Sequence, residues 1–465
     1  MDYQVSHVQI AGAGAGKTYG LASQIVQRSS AVQEHRIIFA ITYTNSAKYN
    51  IIKGLIEQIG VVPENIRVLT VHSFLLEMII FPYSKFIFGQ SYNRAVSIPL
   101  PSDLRYKNAK LKRLNEYKII HNEQVFKKAH MILNRKGKTK SVKAKIEIVL
   151  HHILASIDSI FVDEAQDLDD DALSVFQFLS EKGLYVYLVG DPKQAIKYPK
   201  SFEDFCCSIE SRKVKSFSIL DNNNESRRVP ENHLKLSNNF CKMAQKQTSL
   251  NEKLGLLSYI FVDDTKFPTL YEYWKSNECL IYINKRNQVF ETHTIKHKIY
   301  IPESVTERMK ESFNHHVYEF NIWIESIIIE IEENSKKMKQ KVVLKHFQEK
   351  YGIILEKNEW AEMNEMLTTD YCNPQYNVSS IDRVKGLEAE TCVFIIDNSM
   401  MEYLTGINKN RNKESNKLYV ALTRSMNNLV FAVDRERISC MTKSEIQEWF
   451  ENKKIPYLNS LDLIL

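Results

Sequence analysis

Short, nearly unbroken apolar runs recur along the chain, separated by amphipathic helical stretches. The run 5–10 enters the segment Ala11-Gly12-Ala13-Gly14-Ala15-Gly16-Lys17-Thr18, after which Leu21 and Ile25 repeat at helical spacing. Runs 37–41 and 66–70 have the character of parallel strands buried on both faces, and each ends in Thr, Asn, His or Ser. From about 74 to 150 the pattern turns basic and mainly helical, and buried-strand runs resume at 159–162 and 185–189. A second series stands at 279–283, 393–396 and 429–433, interrupted by a charged helical region over about 303–370. The prediction is an α/β protein with two parallel-sheet cores, each carrying a mainly helical insertion. Chemistry in such sheets sits at the carboxyl ends of the strands.

Composition narrows the class without naming a function. At 465 residues the prior is about three domains, or two with large insertions. With 44% hydrophobic and 25% charged residues, 14 Gly and 11 Pro, the chain is neither collagenous nor low in complexity. No run approaches 18 apolar residues and Met1-Asp2-Tyr3 is no basic leader, so the expectation is a soluble cytoplasmic protein with no membrane partner. The seven cysteines show no paired metal-type spacing and are expected as free buried thiols.

Candidate chemistry begins at the glycine loop. A strand, a glycine loop and a helix N-terminus form a phosphate cradle from backbone amides, and residues 11–18 supply one. Lys17 is placed to bridge terminal phosphates and the Thr18 hydroxyl to hold Mg²⁺. The strict pattern has glycine where this chain has Ala11. After the run 159–162 come Asp163 and Glu164, where one carboxylate can hold Mg²⁺ and its neighbour can polarise an attacking water. The implied cofactors are ATP and Mg²⁺, with Thr18 and Asp163 as metal residues.

The order of motifs resembles that of the UvrD/Rep/PcrA-type helicases of superfamily one over nearly the whole chain. Residues 11–18 resemble the family's AGAGSGKT loop, 41–45 its TFTN segment, 69–74 its TIHSF segment and 163–167 its DEXQD. Residues 189–194 are similar to GDxxQ, 225–230 to its arginine-bearing segment, 380–388 to THxxKGLE and 418–424 to LYVALTRA. The resemblance implies two RecA-like cores. The first (1A) is 1–73 and 151–215 with insertion 74–150 (1B); the second (2A) is 216–300 and 376–465 with insertion 301–375 (2B). It implies Gln194 as a γ-phosphate sensor, Arg228 and Arg424 as arginine fingers across the cleft, and Glu388 at the ribose. Thr44, Asn45, Thr70, His72, Ser73, Tyr198 and Ser380 would line a single-strand track. Taken singly, such residues are more often helix caps.

Charge gives the track a second support. The net charge is only +6, yet residues 105–146 hold 14 Lys and Arg against two Glu. A solvated helical face is the ordinary reading; placed in the first insertion, the run is expected to bind a nucleic-acid backbone, with Tyr106 and Tyr117 interleaved, though these two fit a core role equally well. Several positions depart from the family pattern. Too few residues precede the loop for the upstream adenine-reading glutamine. The segment after Gln194 lacks the family's aromatic and arginine pattern, so base stacking is expected to be either weakened or moved to Tyr198 or Phe202. Asp382 replaces a histidine, setting a carboxylate toward the phosphate backbone. The second insertion is short, and the chain after the last strand is too short for a nuclease domain. His293 and His297 stand at i and i+4 without the Glu of an H-E-x-x-H pattern and are not expected to hold zinc, while His315 and His316 are expected as surface imidazoles.

The resulting expectation is an ATP-dependent translocase or helicase on single-stranded or tailed duplex DNA, moving 3′ to 5′, in repair or anti-phage defence. The alternative is a nucleotide-sensing subunit of a defence complex. Compact chains of this organisation resemble the helicase-like component of two-gene systems such as Gabija, whose partner is a co-encoded, OLD-family-like nuclease.

Overall fold

The computed structural model describes residues 5–32, 35–241, 243–292, 299–311, 317–335, 337–367 and 375–459. It divides into a large unit, 1–98, 107–285 and 379–465, and a small one, 99–106 and 286–378.

In the large unit, β1 (Ser6–Ile10), β2 (Ile37–Thr42) and β3 (Ile66–Thr70) start the first sheet. The inserted segment contributes a short parallel pair, β4 (Arg94–Val96) and β5 (Ile119–His121). β6 (Ile157–Val162), β7 (Tyr185–Gly190) and β8 (Phe217–Ile219) complete a parallel sheet of order β3-β2-β6-β7-β1-β8. Every residue of β6 and β7 is buried, as their continuous apolar sequences require of central strands. Because β6, β7 and β1 are adjacent, their carboxyl ends open side by side: the glycine loop after β1, Asp163 and Glu164 after β6, and Asp191 to Gln194 after β7. β8 extends the first sheet past residue 215, the expected limit of that core. A three-residue edge strand leaves too short an apolar run to be read.

The segment 74–150 adds no separate core. Phe126, Ile132, Val149 and Leu150 share one apolar cluster with Phe39, Ile41 and Ile160 of the sheet. The continuous helical run Val71–Phe88 is long and apolar enough by composition to cross a membrane. Its Phe74, Leu75, Ile79, Ile80 and Ile87 are instead buried in the sheet's core, which accounts for their character.

The chain then passes through β9 (Glu225–Ser226) and β10 (Thr248–Ser249), a two-strand parallel pair. The second sheet comprises β11 (Leu256–Phe261), β12 (Leu280–Ile283), β13 (Phe290–Thr292), β14 (Tyr376–Ser380), β15 (Ala389–Ile396) and β16 (Ser425–Val433), ordered β11-β16-β15-β12-β14-β13 and parallel throughout. Two RecA-like α/β sheets result. In the small unit, the helices Glu303–Glu311, Val317–Ser335, Gln340–Tyr351 and Lys357–Met366 close around Val305, Met309, Ile327, Leu344, Phe347 and Met363.

Of the described cysteines, Cys206, Cys241 and Cys392 are buried, Cys207 is exposed, and Cys279 and Cys440 are partly so; the expectation of buried thiols fits half of them. Cys372, His293, His297, His315 and His316 lie outside the described residues.

Candidate active site

The glycine loop divides its amides into two sets. The N–H groups of Ala11, Gly12 and Ala15 donate to Gly190 O, Asn223 O and Gly12 O at 3.0, 3.0 and 3.3 Å. Ala13 N–H donates to Gln247 Oε1 and to the Tyr419 hydroxyl, both at 3.2 Å. Among the described residues no protein acceptor takes the amides of Gly14, Gly16, Lys17 and Thr18. These lie at the start of the helix Lys17–Ser29, where an anion is favoured by the free amides and the helix dipole. Gly14 has φ +70°, and a Cβ there would stand 2.5 Å from Ser226 Oγ and 2.7 Å from Arg228 Cβ, so the position needs glycine on both counts. The substitution of alanine at Ala11 costs nothing visible: its backbone takes an ordinary ladder bond beside β7.

Behind the loop, the Thr18 hydroxyl donates to Asp163 Oδ2 at 2.7 Å, and Lys17 Nζ donates to Gly12 O at 3.3 Å. Mg²⁺ takes hard oxygen ligands, few of them from protein when phosphates supply the rest. A hydroxyl and a carboxylate already in contact beside free amides fit that ion. Glu164 sits in the left-handed region, φ 56°, with its carboxylate accepting from the Gln166 amide. Burial and the neighbouring Glu164 charge lift the Asp163 carboxyl well above its ordinary value. Burial pushes Glu164 the same way, but Lys17, Lys385, Gln166 and Arg424 outweigh it and leave that carboxyl below its usual range. Glu164 is thereby kept ionised.

Residues of the second sheet reach these groups. Arg424 is 1% exposed; its Nη2 donates to Gln194 Oε1 at 3.3 Å, while Val420 O and Leu387 O hold its other nitrogens at 3.0 and 3.3 Å. Burial and the nearby Arg228 bring its guanidinium down to about 10. Gln194 is oriented in turn by Asp191, its Nε2 donating to Oδ2 at 2.9 Å. Lys385 pairs with Asp167, whose carboxyl burial raises despite that partner. Arg228 donates to Glu388 Oε2 at 2.8 Å, so this carboxylate faces a cation of the site.

Of the residues expected to line a strand track, Thr44 and Asn45 follow β2, Thr70, His72 and Ser73 stand at or just after the end of β3, Tyr198 lies beyond β7 and Ser380 ends β14. Thr44 caps the helix Asn45–Ile59, accepting from Ala47 N at 3.1 Å, and Thr70 caps Val71–Leu75, bonding Ser73 N and Oγ at 3.2 and 2.9 Å. Both are helix caps, and Thr44 and Asn45 are also exposed. His72 lies between Tyr43 and Phe126, with ring centroids 5.5 and 4.7 Å away. Burial and Lys197 push its imidazole down to about 4. Lys197 Nζ stands 4.2 Å from the Tyr43 ring centre and donates to its hydroxyl at 2.8 Å. Tyr198 packs half-buried on the first core, its hydroxyl pushed up to about 12 by burial and the nearby Asp169. Ser380 begins the short helix Ile381–Val384.

A family model described as an AAA domain matches residues 4–200. The Gabija protein GajB of Bacillus cereus (strain VD045) is 23% identical over 500 aligned positions, which cover 94% of this chain and 95% of that protein. The chain is similar to an AAA-type domain over residues 4–200 and to GajB along nearly its whole length. A solved complex of the Arterivirus nonstructural protein 10 helicase with DNA is 10% identical with a TM-score of 0.36; the match covers 92% of this chain, which spans 60% of the other.

Two expectations change. Phe202 is fully buried in the first core and cannot meet a base, because its helix turns that face onto the sheet. Asp382 does not stand as a lone anion: Lys417 Nζ, itself held by Asn284 Oδ1 at 3.0 Å, meets it at 3.1 Å. Tyr106 and Tyr117, 68% and 43% exposed, are surface residues rather than core. Sequence reasoning missed Gln247, Tyr419, Tyr43 and Lys197 as members of the site. Tyr43 and Lys197 sit inside recognised segments and were within reach; Gln247 lies in no motif.

Proposed function

We propose that this UvrD-like chain couples ATP hydrolysis to movement on single-stranded DNA. The supporting observation is the buried contact of Arg424 with Gln194, which brings a cation of the second sheet to the acids of the first. On this reading the free amides of the loop and Lys17 take the terminal phosphates. Glu164, kept ionised, accepts a proton from the attacking water, and Gln194 orients that water. Arg424 and Arg228 offset the charge that develops on the transferred phosphoryl group. Thr18 and Asp163 would hold Mg²⁺, which when bound neutralises phosphate charge. The domain limits expected from the sequence, with 1A and 2A as the moving cores, belong to this proposal. So do 3′-to-5′ polarity, a cytoplasmic location, and contact of Thr44, Asn45, Thr70, His72, Ser73, Tyr198 and Ser380 with the strand. Opening a base-pair step takes about 1.4 kcal/mol on average, a small load for one nucleotide hydrolysed.

The test is steady-state ATP hydrolysis by the purified chain, with and without single-stranded DNA, beside Lys17→Ala and Glu164→Gln. Stimulation by DNA that both variants lose is expected. Full hydrolysis by Lys17→Ala would overturn the reading.

A second reading is favoured by the end-to-end similarity to Gabija protein GajB. In it the motor serves as a nucleotide-sensing subunit in anti-phage defence and its output passes to a co-encoded, OLD-family-like nuclease. Hydrolysis without strand separation by the isolated chain, redirected by that nuclease, distinguishes it.

A further inference from the structure

Gln247 belongs to no phosphate-loop, acid or arginine motif, yet it is 4% exposed and both ends of its carboxamide are used on one residue. Oε1 accepts from Ala13 N–H at 3.2 Å while Nε2 donates to Ala13 O at 2.9 Å, a two-bond clasp on the crest of the glycine loop. The Tyr419 hydroxyl completes it, accepting from the same N–H and donating to Gln247 Oε1. The clasp leaves no space at the neighbouring residue. A Cβ on Gly12 would stand 2.2 to 2.6 Å from the Gln247 carboxamide.

What lies behind the clasp gives it direction. Gln247 is fixed by Asn238, which accepts from its N–H at 2.9 Å and donates to its carbonyl at 2.8 Å. Tyr419 lies on the helix Lys413–Leu422, three residues before that helix ends and five before Arg424. Ala13, Val229, Leu234, Cys241 and Tyr419 form one small apolar cluster, so the loop crest packs against the helix that leads into Arg424. Buried clusters of this kind shift as units rather than deform.

We propose that Gln247 is a positioning residue for nucleotide hydrolysis: with Tyr419 it registers the phosphate loop against the helix that leads into Arg424. The inference rests on the proposed ATPase function and adds the element that sets the distance between its two halves. The amides facing the phosphates are not part of the clasp, and Gly190 and Asn223 hold the loop from the first-sheet side. Nucleotide binding therefore depends little on Gln247, while alignment of Arg424 for transfer depends on it strongly.

The test is ATP hydrolysis by the full chain carrying Gln247→Leu, which keeps volume and deletes both bonds, and Tyr419→Phe, which deletes one hydroxyl and leaves the ring in its cluster. The expected result is a kcat lowered about tenfold or more by Gln247→Leu and by a smaller factor in Tyr419→Phe, with KM and the Kd of a fluorescent ADP analogue within about threefold of the parent. Wild-type kcat in both variants would overturn the inference, as would a loss of ADP affinity as large as the loss of kcat. Failure of the parent chain itself to hydrolyse ATP would refute the ATPase reading instead, so the two failures are separable. Thermal melting of each variant identifies one that does not fold, in which case Tyr419→Phe decides.

Discussion

Arg424 and Gln194 are 230 positions apart in the chain and meet at 3.3 Å. Neither is free to turn elsewhere: Asp191 holds the amide and backbone carbonyls hold the guanidinium. A guanidinium this buried, its pKa brought down to about 10 yet still charged near neutral pH, is placed to answer new negative charge in the cleft.

Arg424→Lys keeps the charge and loses the planar fork. We expect kcat for ATP hydrolysis to fall by on the order of 10³ with nucleotide affinity within a few-fold, as for loss of an arginine finger. Steady-state kinetics beside equilibrium nucleotide binding check it; equal loss in both would show that Arg424 serves binding alone.

The basic segment makes a salt-dependent prediction. Lys136 and Lys140 are exposed. Reversing both to Glu is expected to weaken single-stranded DNA binding and to lower the slope of log K against log salt by about 0.7 for each phosphate no longer neutralised. Fluorescence anisotropy at several salt concentrations measures it. An unchanged slope would return the segment to a plain solvated face.

His233 is fully buried, its imidazole pushed down to about 4 by burial, while Nε2 meets Leu256 O at 3.2 Å. Its folded-state value is below the ordinary 6.5, so the unfolded chain binds the extra proton between those limits. This contribution to stability is whole above pH 6.5 and is lost as pH falls toward 4, by about 3 kcal/mol at most. His233→Gln lacks the titration. The stability difference between parent and variant, from denaturant melts, is expected to shrink as pH falls from 7 to about 4.5.

In the small unit Glu359, 1% exposed, accepts from Arg308 at 3.0 and 2.8 Å, from Glu356 N at 2.8 Å and from the Ser304 hydroxyl. Burial opposes its charge, but these donors prevail and hold the carboxyl at about 2. Its stabilisation is whole above its ordinary value near 4.5 and is lost as pH falls toward 2. Glu359→Ala, which removes the carboxylate that faces Arg308, is expected to cost about 2 kcal/mol. Faster proteolysis confined to 286–378 would show it; uniform sensitivity along the chain would not fit.

The parts of the candidate site that a sequence makes legible are those whose chemistry needs neighbours in the chain. Gly16, Lys17 and Thr18 must be consecutive because one helix start supplies amides, ammonium and hydroxyl together. Asp163 and Glu164 must be adjacent because one strand end presents both, and the all-buried runs of β6 and β7 announce central parallel strands by themselves. The tertiary structure decided what meets across distance. Gln247 clasps Ala13 from 234 positions away, and Lys417 turns Asp382 from a lone anion into half of an ion pair. It also turned Phe202 inward and merged the segment 74–150 into the first core. A hydrogen bond or a packed ring depends on where two surfaces come together, and that position is set by the sum of many apolar contacts, none of which is written in a local pattern.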